Sequence, residues 1–284
     1  MTLLISIGRV ARVGIGLVVL VLAAASASAQ QAPSALAATP DVTQLPTGPV
    51  GQLPAQVAAP HWAMSSGFEG DTHGTGYGFT GPTFHRPVSR NVMFVAGAGV
   101  NYLYYGFDSG ARGRTSVTSP GGSATAGVRL GDRNWVQLQA GPGVKRRHEV
   151  VRDETDRIIS SQNNVEVGLN LGADVWMNPS PTRNIQGMLQ YGGEDRYTWG
   201  RIGFKQQITN LNWRSRFTHY LGTEYIGQGN HDIRSNQFGA FVELLHVPSS
   251  LSLMLRGGYK RSSFELGPAK TGPWYAVSLY KAFK

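Results

Sequence analysis

The stretch VEVGLNLGADVWM, residues 165–177, alternates between two kinds of side chain with a period of two. Its odd positions carry Val, Leu, Ala or Met, and its even positions carry Glu, Gly, Asn, Asp or Trp. Successive side chains of a β-strand point to opposite faces, so this pattern predicts a strand with one apolar and one polar face. The stretch exceeds the about 5–6 residues usual in soluble sheets. It is long enough for a tilted transmembrane strand, which needs about 9–11 residues.

One such strand fits a soluble sandwich, whose apolar face is its core, or an outer-membrane barrel, whose apolar face contacts lipid. The same alternation recurs along the chain and predicts about twelve strands, the ninth of them at residues 213–223. Connections after even-numbered strands are short, whereas several connections after odd-numbered strands are longer and more polar, a habit of outer-membrane barrels. The short ones include 131–134, 209–212 and 246–250, and the long ones are 108–122, 146–161, 224–236 and 261–273. We therefore predict an all-β fold, a single antiparallel transmembrane β-barrel of about 12 strands over residues 61–284.

The N-terminal part has a different composition. Residues 1–29 combine Arg9 and Arg12, an apolar run at 13–25 and an Ala-Ser-Ala site, which predicts a cleaved signal peptide. Residues 30–60 contain prolines without hydrophobic periodicity, which predicts a disordered periplasmic linker. The expected location is the outer membrane of a Gram-negative bacterium.

Composition narrows the function further. The chain has no cysteine, so it forms no disulfide and no thiolate metal site. Its histidines show no spacing typical of a metal site, and no cofactor motif is present. Removal of residues 1–29, which carry two arginines and no acidic residue, lowers the formal charge from +9 to +7 (24 − 17). The basic residues are scattered through the strands of an exported chain, and we therefore expect no nucleic-acid partner.

Charged residues of the predicted strands are candidates for the barrel lumen, because a Lys or Arg on the lipid face near the midplane costs about 2–4 kcal/mol. Eight are basic and three acidic: Arg129, Lys145, Glu166, Asp174, Arg201, Lys205, Arg214, Arg216, Glu243, Arg256 and Lys260. They predict either an ion-pair network that fills the lumen or a basic passage for anionic or polyhydroxylated solutes. Trp135, Trp176 and Phe241 share that face and would either fill space or stack on sugar rings.

The sequence predicts no catalytic residue. A His and a Ser on adjacent same-face positions of a strand would read H-x-S, and the chain contains no such triplet. His231 and Ser235 are close in sequence but have the wrong spacing. The G-x-G-x-x-G at 76–81 is followed directly by Pro82 and by no helix, which argues against a nucleotide site.

Six stretches of the second half have a recognisable order and spacing. They are GADVWMNPSPTRNIQGMLQYG (172–192), YTWGRIGFKQQI (197–208), LGTEY (221–225), SNQFGAFVEL (235–244), LRGGYKRS (255–262) and GPWYAVSLYKAF (272–283). In these stretches the chain resembles the cellulose biosynthesis protein BcsS family of exported bacterial proteins. The resemblance covers 165–283 well and 62–145 loosely. It implies an outer-membrane barrel linked to cellulose synthesis and secretion, without family catalytic residues.

The leading hypothesis is a non-enzymatic outer-membrane accessory protein of bacterial cellulose (exopolysaccharide) biosynthesis and secretion. Its expected partners are outer-membrane lipid, cellulose or another polysaccharide, and components of the cellulose synthase complex. One alternative is a general porin or small-solute channel. The other is a barrel hydrolase acting on lipid or glycan.

Overall fold

The computed structural model describes residues 60–108, 113–208, 217–264 and 267–283. The predicted signal peptide and residues 30–59 of the predicted linker lie outside this part. Within these four ranges, no helix is long and apolar enough to cross a membrane.

Twelve antiparallel strands of the described part form a closed barrel. They are β1 (His61–Asp71), β2 (Gly76–Ser89), β3 (Val92–Asp108), β4 (Arg114–Gly131), β5 (Trp135–Arg152), β6 (Ile158–Ser180), β7 (Arg183–Gly192), β8 (Tyr197–Gln207), β9 (Phe217–Gly229), β10 (Ile233–His246), β11 (Leu251–Phe264) and β12 (Gly267–Phe283). Each strand pairs with its neighbours in sequence, and β1 pairs with β12 from Trp62–Phe283 to Asp71–Trp274. Closure leaves no free sheet edge, and it confirms the predicted fold class.

Residues 165–177 lie in β6, and their apolar and polar faces are on the sides that the period of two predicts. Val165, Val167 and Leu169 are 68%, 74% and 57% exposed on the outside, whereas Asp174 and Trp176 are buried inside. The other strands likewise leave large apolar side chains exposed on the outer wall. An apolar surface of this extent is unfavourable in water. It matches the apolar band of a transmembrane barrel, flanked by aromatic residues at both lipid interfaces.

Both ends of the barrel-forming chain lie at one end of the barrel, because the number of strands is even. We call this end, which carries His61 and Phe283, the terminal end, and the opposite end the loop end. Outward-facing aromatic residues occur towards both ends, and they include Tyr102, Tyr191, Tyr259, Tyr275 and Phe283.

The prediction of long polar loops at the loop end was wrong. Most of residues 108–122, 146–161, 224–236 and 261–273 belong to strands, because β4 begins at Arg114, β6 begins at Ile158 and β12 begins at Gly267. Strands are held by backbone hydrogen bonds, so they continue past the apolar belt where their side chains become polar. The ninth strand continues to Gly229, past its predicted end at 223, and residues 213–216 of the predicted strand, like the predicted turn at 209–212, lie outside the described residues.

Candidate functional site

The polar faces of the strands point into the barrel and divide its interior into three levels. A packed layer closes the terminal end, a cavity occupies the middle, and side-chain contacts cross the loop end. The levels follow from residue size, because large inward residues lie near both strand ends while glycine, serine and threonine occupy much of the middle of β2 to β6.

The packed layer, which we call the closing layer, is made of inward side chains within a few residues of the terminal end. Its charged and polar members are nearly inaccessible, with Lys205 2%, Glu243 0%, Arg129 3%, Asp174 3% and Gln137 1% exposed. Lys205 Nζ lies 3.1 Å from Glu243 Oε2, and Arg129 Nη2 donates to Gln137 Oε1 at 3.0 Å. Gln137 Nε2 donates in turn to Asp174 Oδ2 at 3.3 Å. Buried charges are tolerated because they are paired and hydrogen-bonded in this way.

Aromatic rings complete the closing layer. Trp135 and Trp176 stack on each other with ring centroids 6.0 Å apart, and both rings are buried. The Arg129 guanidinium lies 4.3 Å from the centre of the Trp135 ring, and Lys205 Nζ lies 4.3 Å from the centre of the Tyr220 ring. These two tryptophans fill space and present no open face on which a sugar could stack. Phe241 is also buried.

A second network of charged and amide side chains lies next to the closing layer, on the side that faces the loop end. Arg201 Nε donates to Glu224 Oε2 at 2.5 Å, and its Nη1 donates to Gln186 Oε1 at 3.2 Å. Arg256 Nη1 approaches the other Glu224 oxygen at 3.7 Å. Closer to the loop end, Lys260 Nζ lies 3.1 Å from Asp71 Oδ2. Each of these cations therefore lies beside a carboxylate.

The middle of the barrel contains a cavity of about 360 Å³. Small inward residues of β3 and β4, among them Gly97, Gly99, Ser123 and Thr125, form one wall. Further lining groups are aromatic or amide side chains, including Tyr77, Phe79, Tyr105, Tyr197, Trp199, Asn170, Gln139 and Gln190. A volume of this size lies at the lower end of the 300–1,000 Å³ typical of small-molecule sites.

The connection between β7 and β8, residues 193–196, folds inward against β6 and adds two carboxylates to the cavity. Gly193 N donates to Leu169 O at 3.1 Å, and Lys145 Nζ lies 2.6 Å from Asp195 Oδ2. This close contact between residues 193–196 and β6 requires glycine at position 168, because a Cβ there would lie 2.2 Å from the Glu194 nitrogen. Glu194 and Asp195 both line the cavity as a result.

Two contacts cross the barrel at the loop end. Arg147 of β5 lies 2.9 Å from Asp232, which precedes β10, and also 2.9 Å from Glu149. Phe107 of β3 stacks on Phe264 of β11 with ring centroids 5.6 Å apart. The side chains of Arg147 and Asp232 remain 23% and 33% exposed. The loop end is thus narrowed but less tightly packed than the terminal end.

The eleven lumen candidates separate by level. Arg129, Asp174, Lys205 and Glu243 lie in the closing layer, and Arg201 and Arg256 lie above it. Lys145, Glu166 and Lys260 lie nearer the loop end, with Glu166 half-buried. Arg214 and Arg216, like Trp213, lie outside the described residues.

Several acidic residues that pair with cations in the lumen were not predicted from the sequence. Asp71, Asp195, Glu224 and Asp232 each lie beside a cation named above, and Glu69 accepts from Gln237 Nε2 at 2.6 Å. All five lie at or beyond the predicted ends of their strands. Extending each strand by a few residues with the same alternation would have turned Asp71 and Glu224 inward.

The histidine and serine considered for hydrolysis do not form a catalytic pair. Ser235 is buried and shares a hydrogen bond of 2.7 Å with Ser262. The side chain of His231 is 71% exposed at the loop end, where its Nδ1 lies 3.6 Å from Asp232. Among the described residues, no three His, Asp or Glu side chains are placed to hold a metal ion.

Fold and interior together define a transmembrane β-barrel whose lumen is closed at one end and holds a cavity. The sequence profile of the family described as cellulose biosynthesis protein BcsS matches residues 59–283. The chain belongs to this family, which confirms the resemblance seen in its second half. No curated protein sequence matched the chain.

Several solved barrels are similar in outline. The β-domain of the Bordetella autotransporter BrkA is 12% identical, with 80% of this chain and 99% of that chain covered and a TM-score of 0.44. The translocator domain of autotransporter NalP from Neisseria meningitidis is 12% identical, with 78% and 87% covered and a TM-score of 0.47. LpxR from Salmonella typhimurium is 9% identical, with 76% and 99% covered and a TM-score of 0.40. The likeness carries no information on activity.

Proposed function

We propose that this chain is a non-enzymatic outer-membrane accessory protein of cellulose biosynthesis that acts as a closed anchor or sensor, not as a conduit. Membership of the BcsS family supports the link to cellulose. The apolar outer wall supports residence in a membrane, and strands are the means by which outer-membrane proteins cross. The terminal end would face the periplasm, because the short turns of outer-membrane barrels lie on that side.

The closing layer is the observation that carries this proposal. A porin needs a water-filled channel through its lumen. Here Lys205, Glu243, Arg129 and Gln137 leave almost no accessible surface. One hydrogen bond joins the neighbouring strands β4 and β5, and another joins β8 to β10. Lys205 Nζ also lies 4.9 Å from the centre of the Trp176 ring, which brings β8 into contact with β6. A cellulose chain would have to break these contacts to pass. The polymer therefore does not pass through the barrel, and the synthase components contact its periplasmic rim.

Two measurements test the proposal. Purified full-length protein in planar lipid bilayers should give no stable conductance steps, with a general porin prepared in the same detergent as the positive control. Deletion of the gene should reduce dye-binding cellulose while the synthase subunits remain at normal levels, and the intact gene should restore it. Ion-conducting steps from the folded barrel, or unchanged cellulose in the deletion strain, would contradict the proposal.

A further inference from the structure

The cavity in the middle of the barrel is lined by hydrogen-bonding groups that the protein itself leaves without partners. Asn170 Oδ1, Glu194 Oε2 and Arg256 Nε are buried atoms that have no hydrogen-bond partner among the described residues. All three residues line the cavity. Buried polar atoms are normally satisfied by protein or by something bound. These three lining residues therefore keep two acceptors and one donor that the protein itself does not use.

The sign of these groups narrows the chemistry of the occupant. Carboxylates and cations both line the cavity, so an ion of either sign would meet groups of like charge. Moreover, Lys145, Arg201 and Lys260 already lie within 3.1 Å of a carboxylate. A hydroxyl group both donates and accepts hydrogen bonds, so it satisfies all three atoms without adding charge. The favoured occupant is neutral and carries several hydroxyl groups.

The remaining lining suits the flat, apolar faces of sugar rings. Tyr77 projects inward and is 37% exposed within the barrel, and its ring lies 6.0 Å from that of Phe79. Trp199 is half-buried and lines the same space. Beside Tyr77 and Phe79, Gly97 and Gly99 of the neighbouring strand β3 leave room for a ring. Aromatic faces beside a few placed polar groups are the usual composition of a small-molecule site.

We infer that the cavity binds a short neutral β-linked glucan, a segment of about two sugar rings, through Glu194, Asn170 and Arg256. The choice of β-glucan among neutral sugars rests on the proposed function. The closing layer stops the glucan from passing through the barrel. The site therefore detects glycan that is present at the loop end. The inward β7–β8 connection is essential because it brings Glu194 to the site.

The test is calorimetric titration of the full-length protein in a detergent without a sugar head group. Cellobiose and cellotriose are the probes, and maltose and a glucuronate-containing disaccharide are the comparisons. The inference predicts saturable binding of cellobiose, weaker binding of maltose and none of the anionic sugar. Absence of binding by cellobiose, or equal or stronger binding by either comparison sugar, would overturn it.

Two matched pairs of variants locate the site. Gly97→Phe fills the cavity and should abolish binding, whereas Gly187→Phe, on the outer face of β7, should bind normally because its Cβ would meet no atom closer than 3.8 Å. Glu194→Ala removes an acceptor and should weaken binding by about tenfold or more. Glu154→Ala, in the exposed β5–β6 turn, should bind as the unchanged protein does. Heat-dependent mobility in gels reports whether each barrel is folded, and normal binding by folded Gly97→Phe would refute the site.

The result separates this inference from the proposed function. A deletion strain that loses cellulose, together with a purified barrel that ignores cellobiose, would overturn the inference alone. Normal cellulose in the deletion strain would overturn the proposed function, whatever the calorimetry shows.

Discussion

Replacing Lys205 by methionine should destabilise the barrel strongly, because it leaves a buried carboxylate without its cation. Lys205 Nζ lies 3.1 Å from Glu243 Oε2, and the two side chains are 2% and 0% exposed. Solvent therefore cannot screen the charge that remains. In Lys205→Met, Glu243 would keep only the hydrogen bond from Ser252 Oγ at 3.1 Å. Removing one partner of such a pair costs about 3–5 kcal/mol.

The double variant separates the pair from simple loss of packing. In Lys205→Met with Glu243→Gln, the amide oxygen still accepts from Ser252 and no charge is left buried. Replacing both partners of a buried pair is often nearly neutral, so we expect a favourable coupling energy of about 2–3 kcal/mol. Urea unfolding in liposomes, followed by tryptophan fluorescence, measures the free energy of unfolding. Arg90→Met, at an exposed position in the β2–β3 turn, is the control and should change it little. A loss below about 1 kcal/mol for the single variant, or strict additivity in the double variant, would refute a paired, water-free closing layer.

Three further predictions test other levels of the structure. Leu171→Arg places a charge on the outer face of β6 and should cost about 2–4 kcal/mol in the same assay, whereas Ser161→Arg, on the same face beyond the apolar stretch, should cost little; equal effects would argue against lipid contact. Gly168→Val should push the β7–β8 connection out of the lumen and speed tryptic cleavage at Arg196, whereas Gly187→Ala, whose Cβ meets nothing closer than 3.8 Å, should not; unchanged cleavage would show that the connection does not lie against β6. The pKa of the Asp153 carboxyl is lowered by hydrogen bonds from the Thr155 side chain and from the Arg157 and Thr155 backbone. The β5–β6 turn should therefore keep its form above the ordinary carboxyl pKa and lose it as pH falls through the lowered value. Carbon NMR titration should give a pKa below 3.8 for Asp153, and an ordinary pKa would contradict these hydrogen bonds.

Much of the fold could be predicted because lipid imposes a strict period of two. Val165, Val167 and Leu169 must all face lipid if Glu166 and Asn170 face the lumen, and one pattern fixes both faces. Strand ends were harder to place, because outside the apolar belt nothing requires the side chains to alternate in hydrophobicity. The strand continues there through backbone pairing, as β6 does from Ile158.

The error in strand ends also distorted the prediction of charge in the lumen. The sequence predicts Glu224 in a loop, which leaves Arg201 and Arg256 without this carboxylate as a partner. A basic passage is therefore one of the two arrangements that the sequence predicts for the lumen. With β9 running to Gly229, Glu224 turns inward between them. The inward fold of residues 193–196 had no local signal, because it depends on Gly168 in a different strand.

The central claim is that the outer wall of this barrel contacts lipid while its charged face is closed inside. The chain has no cysteine, so single cysteines introduced along residues 165–175 of β6, with the tightly packed Gly168 left unchanged, can each carry one spin label. In lipid vesicles, accessibility to oxygen should be high at the odd positions and low at the even positions, with a period of two. Equal accessibility of all positions to a water-soluble nickel chelate, or oxygen access at the even positions, would contradict the account.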